Sequence, residues 1–152
     1  MTETILKMQK KVKRYLDKDR YDHTIGVMHT AGCLAMRYGA NLEQALTAGL
    51  LHDCAKCVPA DEKIKLCEKN HIEISDAEYK NPGLLHAKLG AFFARKKYGI
   101  ENEEILRSIE SHTTGRPNMS LLDKIIYIAD YIESGRDVAP NLPEVRALAF
   151  VD

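Results

Sequence analysis

Six histidines, and two aspartates set in apolar surroundings, are the residues here whose types and spacing can do chemistry. The stretch Ala48-Gly49-Leu50-Leu51-His52-Asp53-Cys54-Ala55-Lys56 carries a histidine and an aspartate side by side into what should be protein interior. An ionised carboxylate is rarely buried without a counter-charge or a metal, because desolvation costs on the order of several kcal/mol per ion. A metal would satisfy both residues. Neighbours on a helix diverge by about 100°, so one ion meets both side chains only from the flank between them, and further ligands must come from elsewhere. Asp130, in the apolar run Leu121 to Ile132, is a second costly carboxylate. His23 at a helix start, His86 after Leu84-Leu85 and His112 before Thr113 are the remaining informative histidines; His29 and His71 lack such settings.

The elements that position these residues read as helices. Ile5, Met8, Val12, Tyr15 and Leu16 recur at spacings of three and four behind Thr2 as a cap. Arg20 to His23 reads as a junction. A second helix is expected over about 22–38, with Ile25, Val27, Cys33, Leu34 and Ala35 inward and Gly39 at its end. Asn41 caps a third over 42–57, which places His52 and Asp53 near its C-terminal end and stops before Pro59. A shorter helix over 60–69 leads into the polar stretch 70–81, read as a loop. Pro82 suits a first helical position, and Leu84, Leu85, Leu89, Phe92 and Phe93 carry that pattern to Gly99. Asn102 with Glu103 and Glu104 opens a helix bearing Ile105, Ile109 and, near its end, His112. After a loop at 113–118, Ser120 caps a helix of Leu121, Leu122, Ile125, Ile126, Ile128, Ala129 and Ile132 that Gly135 ends, and a final weak helix follows Pro143. No strand-length alternation occurs, so the spacing predicts an all-α, single-domain bundle of about seven or eight helices.

Composition narrows the function classes. The 152 residues are 45% hydrophobic and carry 22 basic against 22 acidic side chains, so no global field favours nucleic acid or an anionic membrane. The basic run Lys7, Lys10, Lys11, Lys13, Arg14, Lys18, Arg20 is interrupted by Asp17 and Asp19 and reads as a solvated helix face. The longest apolar run, around Ile125 to Ile128, is too short to span a bilayer, and a cytoplasmic location is expected. Cys33, Cys54, Cys57 and Cys67 are expected as reduced thiols. Cys54-x-x-Cys57 lacks the second pair a zinc site needs and the βαβ pattern of a redox motif, and reads as incidental core or boundary residues.

The ordered set His23, His52-Asp53 and Asp130 resembles the signature of the HD-domain superfamily of metal-dependent phosphohydrolases. The segments Arg20-x-x-His23-x-x-Gly26-Val27, Ala48 to Lys56, Leu85-His86, His112-Thr113-x-Gly115, and Ile128-Ala129-Asp130-Tyr131-Ile132-Glu133 with Arg136 resemble more specifically the YqeK family. That resemblance covers roughly residues 20 to 137 and implies symmetrical hydrolysis of diadenosine tetraphosphate to two ADP. It also implies iron as the metal, a homodimer, and a C-terminal extension beyond the length of this chain, so residues 1–152 are expected to be an HD domain without it.

Residues and resemblance agree on His23, His52, Asp53 and Asp130 as metal ligands. Two imidazoles and two carboxylates suit a first-row divalent ion; manganese, cobalt or nickel fit on ligand chemistry, whereas a closed zinc tetrahedron would leave no catalytic opening. A six-coordinate ion keeps two positions for water and a phosphate oxygen, and bound water then supplies hydroxide near neutral pH. Lys56 and Arg136 are candidate phosphate contacts. For His86 and His112 three roles stay open: cationic phosphate contacts, general acid to the leaving group, or ligands of a second metal. Asp53, His86 and His112 form the candidate catalytic set, and the resemblance implies nucleotide contacts from His23, Asp53, Cys54, Ala55, Lys56, His86, His112, Thr113, Asp130 and Arg136. Two other readings remain at this stage: an HD phosphohydrolase acting on a different nucleotide, and a nucleotide-binding module with a structural metal.

Overall fold

A computed structural model describes all residues, 1–152. It contains nine α-helices and no strand: α1 Glu3–Val12, α2 Lys18–Tyr38, α3 Leu42–Leu51, α4 Ala60–Lys69, α5 Asp76–Lys80, α6 Leu85–Tyr98, α7 Glu103–Ser111, α8 Leu121–Ile132 and α9 Leu142–Leu148. Most start on a side-chain cap. Thr2, Asp17, Asn41, Ser75, Asn102 and Ser120 each accept a hydrogen bond from the amide three residues on, and each such cap is worth about 1 kcal/mol. Gly39 and Gly99 end α2 and α6 in the left-handed conformation, both at φ 69°, where a side chain would be strained.

The long α2 packs against α3 and α8, and α7 packs against both of these and against α6. Val27, Met28, Ala31 and Leu34 of α2 meet Ala48, Leu50 and Leu51 of α3 and Ile125, Ile126 and Ala129 of α8 in the main core. Full burial of each large side chain contributes about 1.5–3 kcal/mol. At the α2–α3 crossing a Cβ on Gly49 would stand 2.9 Å from the Met28 Cα, so only glycine lets the two backbones approach this closely. A smaller core of Cys54, Ala55, Cys67, Leu85, Leu89 and Phe93 joins α4 and α6. No helix is long and apolar enough to cross a membrane.

Several boundaries differ from the spacing, each for a local reason. The first helix closes at Val12, because the chain must turn before Asp17 caps α2; Leu16 is buried but Tyr15 is exposed. Arg20 to His23 is consequently no junction but the first turns of α2. Cys33 and Leu121 face solvent instead of the core. The third helix stops at Leu51 rather than Cys57: the His52 ring takes the Gly49 carbonyl at 2.6 Å, the acceptor that Asp53 N–H would need to continue the helix. Tight i to i−3 turns follow, through Cys54 to Leu51, Lys56 to Asp53 and Val58 to Ala55.

The stretch 70–81 holds α5, started by a capping box in which Ser75 and Glu78 satisfy each other's backbone amides. Pro82 opens a 3-10 turn, Pro82–Leu84, ahead of α6. α8 ends at Ile132, before Gly135, because Glu133 is already extended at ψ 150°. Pro143 lies inside the first turn of α9. The loop between α7 and α8 is pinned by Arg116, whose guanidinium reaches the fully buried Asp123 carboxylate at 2.5 Å.

Candidate metal centre

Three of the site histidines stand beside helix ends and are aimed by the same device. Each donates Nδ1–H to the carbonyl three residues earlier: His52 to Gly49 at 2.6 Å, His86 to Gly83 at 2.5 Å, His112 to Ile109 at 2.7 Å. A carbonyl only accepts, so Nδ1 carries a hydrogen, and in the neutral ring Nε2 presents its lone pair to the centre. His23, inside α2, reaches the same state differently. Its Nδ1 lies 3.0 Å from Oε1 of Glu133, a carboxylate only 3% exposed whose Oε2 accepts from Gly135 N–H at 2.7 Å.

The four Nε2 atoms converge on Asp53, which is 2% exposed. On one side Asp53 Oδ2 stands 3.5 Å from His52 Nε2 and 4.0 Å from His23 Nε2, while Asp130 Oδ1 stands 3.0 Å from His23 Nε2 and 3.8 Å from His52 Nε2. On the other side Asp53 Oδ1 lies 3.2 Å from His86 Nε2 and 3.5 Å from His112 Nε2, which are themselves 3.1 Å apart. Thr113 Oγ1 caps that pair at 3.4 and 3.3 Å.

Without a metal, protons on Nε2 take the ion's place, and the rings so protonated donate to the two carboxylates. Burial works against the Asp53 carboxylate, yet His52 and the His112, His52 and His86 hydrogen bonds outweigh it and hold Asp53 well below the usual carboxylate range. Asp130 is likewise lowered: burial opposes its charge, and the His23 hydrogen bond with the His52 and His112 charges prevails. Burial depresses His52, but Asp53 and Asp130 more than compensate and raise it; for His112 burial wins and its pKa falls.

The donor set fits a divalent cation. His23 Nε2, His52 Nε2 and Asp53 Oδ1 are buried without a hydrogen-bond partner, a cost that coordination removes. Ligands held about 2.0–2.2 Å from one ion stand roughly 3 to 4 Å apart, the range spanned by the His23, His52, Asp53 and Asp130 atoms. The groups His23–His52–Asp130 and His52–Asp53–His112 each bring three ligand atoms within 4.8 Å of one another.

Around the cluster lie cations. Arg20 donates from NH1 to Asp53 Oδ2 at 2.9 Å. Arg136 donates to the Asp130 carbonyl at 3.0 and 2.8 Å and to Asp130 Oδ1 at 3.2 Å, which leaves part of its fork free. A polar cavity of about 450 Å³ opens here, lined by Asp17, Asp19, Arg20, His23, Glu133, Gly135 and Arg136. Lys56 approaches from the opposite side, with Nζ 3.5 Å from His86 Nε2, and its carbonyl is held by the buried Lys63 at 3.0 Å.

Of the residues singled out in the sequence, His23, His52, Asp53, His86, His112, Thr113 and Asp130 share this cluster, with Lys56 and Arg136 at its edges. Cys54 and Ala55 do not bring side chains to it. The Cys54 thiol donates to the Gly90 carbonyl at 3.5 Å inside the smaller core, and burial with the neighbouring Asp53 charge pushes it up to about 12. Cys57 is exposed, and all four cysteines are free thiols. His29 and His71 are exposed. Arg20 and Glu133 appeared in the sequence only as motif letters. Spacing could not have assigned either role, because each serves a residue distant in the chain: Arg20 reaches Asp53 and Glu133 reaches His23.

A sequence model of the HD domain matches residues 20–135. The chain is 46% identical over 141 residues to a protein named symmetrical bis(5'-nucleosyl)-tetraphosphatase from Halalkalibacterium halodurans, covering 93% of this chain and 74% of that one. It is 43% identical to the protein of that name from Bacillus subtilis, covering 93% and 75%. A crystal structure from Clostridium acetobutylicum, of an HD superfamily hydrolase described as involved in NAD metabolism, superposes with a TM-score of 0.91 at 46% identity over 96% of this chain and 77% of that one. Fold, cluster and relatives agree: the chain belongs to the HD-domain hydrolases and, within them, to the YqeK family that bears the name symmetrical bis(5'-nucleosyl)-tetraphosphatase.

Proposed function

We propose that this chain hydrolyses diadenosine tetraphosphate at its centre, consuming one water and releasing two ADP. The observation that carries the reading is the convergence of imidazoles and carboxylates on buried, unpartnered ligand atoms, with Arg20, Arg136 and Lys56 arrayed around them. The names of the two relatives supply the substrate class, a bis(5'-nucleosyl) tetraphosphate cut symmetrically, and the family resemblance supplies the adenine. His23, His52, Asp53 and Asp130 would hold a divalent ion, with iron as the family's metal and manganese, cobalt or nickel as substitutes. Such an ion, when bound, acidifies water and polarises a phosphoryl oxygen.

The chain's own residues do the rest. Arg136, already anchored on Asp130, turns its free N–H groups toward a phosphate, and Arg20 and Lys56 neutralise phosphate charge from two further directions. The new oxygen–phosphorus bond forms at one central phosphorus as the bond from that phosphorus to the central bridging oxygen breaks. Each product then ends in a β-phosphate.

His86 and His112 face each other 3.1 Å apart with both Nδ1 hydrogens already donated to carbonyls. Two lone pairs at this separation repel unless a cation lies between them. That favours the pair, with Asp53 Oδ1, as ligands of a second ion over independent phosphate contacts; a proton on either Nε2 is the alternative and would serve the leaving phosphate as acid.

Product analysis of diadenosine tetraphosphate with added iron, manganese or cobalt tests the reading. ADP as sole nucleotide product, lost in Asp53→Ala, supports it; AMP with ATP would move the attacked phosphorus; no turnover by the metal-loaded protein would refute it. Elemental analysis giving two ions per chain in the wild type and one in His112→Ala would support the paired-ion reading.

A further inference from the structure

We infer that Arg146, on α9 and outside the cluster, is a positioning residue for the metal centre: its guanidinium holds the segment from Ile132 to Arg136 that aims His23 and Asp130. Nε donates to the Ile132 carbonyl at 3.0 Å, and NH2 donates to the carbonyls of Glu133 at 2.8 Å and Arg136 at 2.9 Å. The last carbonyls of a helix have no partner of their own, and its C-terminal end attracts cations. Arg146 meets both needs of α8 at once.

What lies between these carbonyls explains the consequence. Glu133 leaves α8 in an extended conformation, φ −49° and ψ 150°, which swings its carboxylate back onto His23 Nδ1 and Gly135 N–H. A tight turn then closes through Arg136 N–H to the Glu133 carbonyl at 3.1 Å and lays the Arg136 guanidinium on Asp130. One planar fork therefore fixes the start, the middle and the end of the segment that steers two ligands. A lysine carries the same charge but offers its hydrogens from a single point and does not span three carbonyls.

The functional half of the inference rests on His23 and Asp130 being metal ligands; the positional half is readable in metal-free protein. The experiment compares wild type, Arg146→Ala and Arg146→Lys by proton NMR of the metal-free chain, with the His23 Nδ1–H resonance assigned by its loss in His23→Gln. Cobalt titration and steady-state kinetics follow on the same proteins. The wild type is expected to show a protected, downfield His23 Nδ1–H signal. Arg146→Ala should lose it, bind cobalt about ten- to a hundredfold more weakly, and recover both when millimolar guanidinium is added. Arg146→Lys should not recover them.

An unchanged signal and cobalt affinity in Arg146→Ala would overturn the inference. So would losses that added guanidinium leaves uncorrected, since those report general loosening. If Arg146→Ala does not fold, folded Arg146→Lys carries the comparison, and wild-type behaviour in it overturns the inference. A wild type that binds no cobalt, beside an Arg146→Ala signal that is lost and rescued, would sink the metal reading and leave the positioning role standing.

Discussion

The two sides of the candidate metal centre are built on different principles. His52, His86 and His112 each take their aim from a carbonyl three residues away, so a helix end and one ring suffice. His23 takes its aim from Glu133, 110 positions along the chain, which is itself held by Gly135 N–H and by the course of the segment after α8. Local aiming persists wherever the helix end forms. Distant aiming holds only if α2 and α8 keep their register, so the His23 side is the one that point changes far from the ligands can disturb.

Asp53 joins the two sides, one oxygen toward each, and its removal is the largest perturbation available. Asp53→Ala should lower turnover by at least about 10³-fold and leave no tightly held ion by elemental analysis. One retained ion would show that one side stands alone, and parallel His23→Ala and His112→Ala variants would say which. Glu133→Ala separates the sides next. It should weaken metal binding by about ten- to a hundredfold, because nothing then fixes the tautomer of His23; the other three rings keep their backbone acceptors. Glu133→Gln accepts from Nδ1–H but places its amide toward Gly135 N–H, and should fall between. Unchanged cobalt affinity in Glu133→Ala would break the comparison.

The same distinction governs what could be read from the sequence. Helix caps are local, and Thr2, Asn41, Asn102 and Ser120 were legible because the capping residue, the amide it serves and the apolar period lie within one turn. The ligand candidates were legible because a His-Asp pair and a lone Asp in apolar runs are costly unless something meets them. Glu133 was not: only after α8 ends in an extended residue does its carboxylate turn back toward α2, and no spacing reports that. The premature end of α3 was hidden too, because a ring competing for the Gly49 carbonyl leaves the apolar pattern intact. α5 escaped because it buries no residue and so carries no period, although Ser75-x-x-Glu78 was there to be seen.

Gly26 sharpens the comparison from the opposite helix. A Cβ at this position would lie 2.3 Å from Glu133 Oε2 and 3.2 Å from its Cδ. The Glu133 side chain must give way, and both of its oxygens are already engaged. Gly26→Ala should weaken cobalt binding several-fold, less than Glu133→Ala does, since the carboxylate is displaced and not deleted. Overpacking of about 1–3 kcal/mol exceeds the gain in helix propensity of about 1 kcal/mol, so the melting temperature should also fall. Undiminished cobalt affinity would mean that Glu133 can steer His23 from a second rotamer.

The smallest effect is expected at α5, where local and distant support meet on one residue. Glu78 accepts from Ser75 N–H at 2.8 Å within its capping box and from Lys88 Nζ at 2.9 Å from α6. Burial raises its pKa, but the Ser75 amide and the Lys88 ammonium prevail and hold it below the ordinary value. A carboxyl depressed on folding contributes stability that is complete above its unfolded pKa of about 4.3 and is lost as pH falls through the folded value. Glu78→Gln should therefore melt below the wild type near pH 6, by an amount worth up to about 1 kcal/mol, and the two curves should converge on acidification. Lys88→Met removes only the distant partner. If aiming by near neighbours is the sturdier principle, amide exchange across 76–80 should quicken in Glu78→Gln and stay close to wild type in Lys88→Met; equal quickening in both would show that α5 depends on α6 as His23 depends on Glu133.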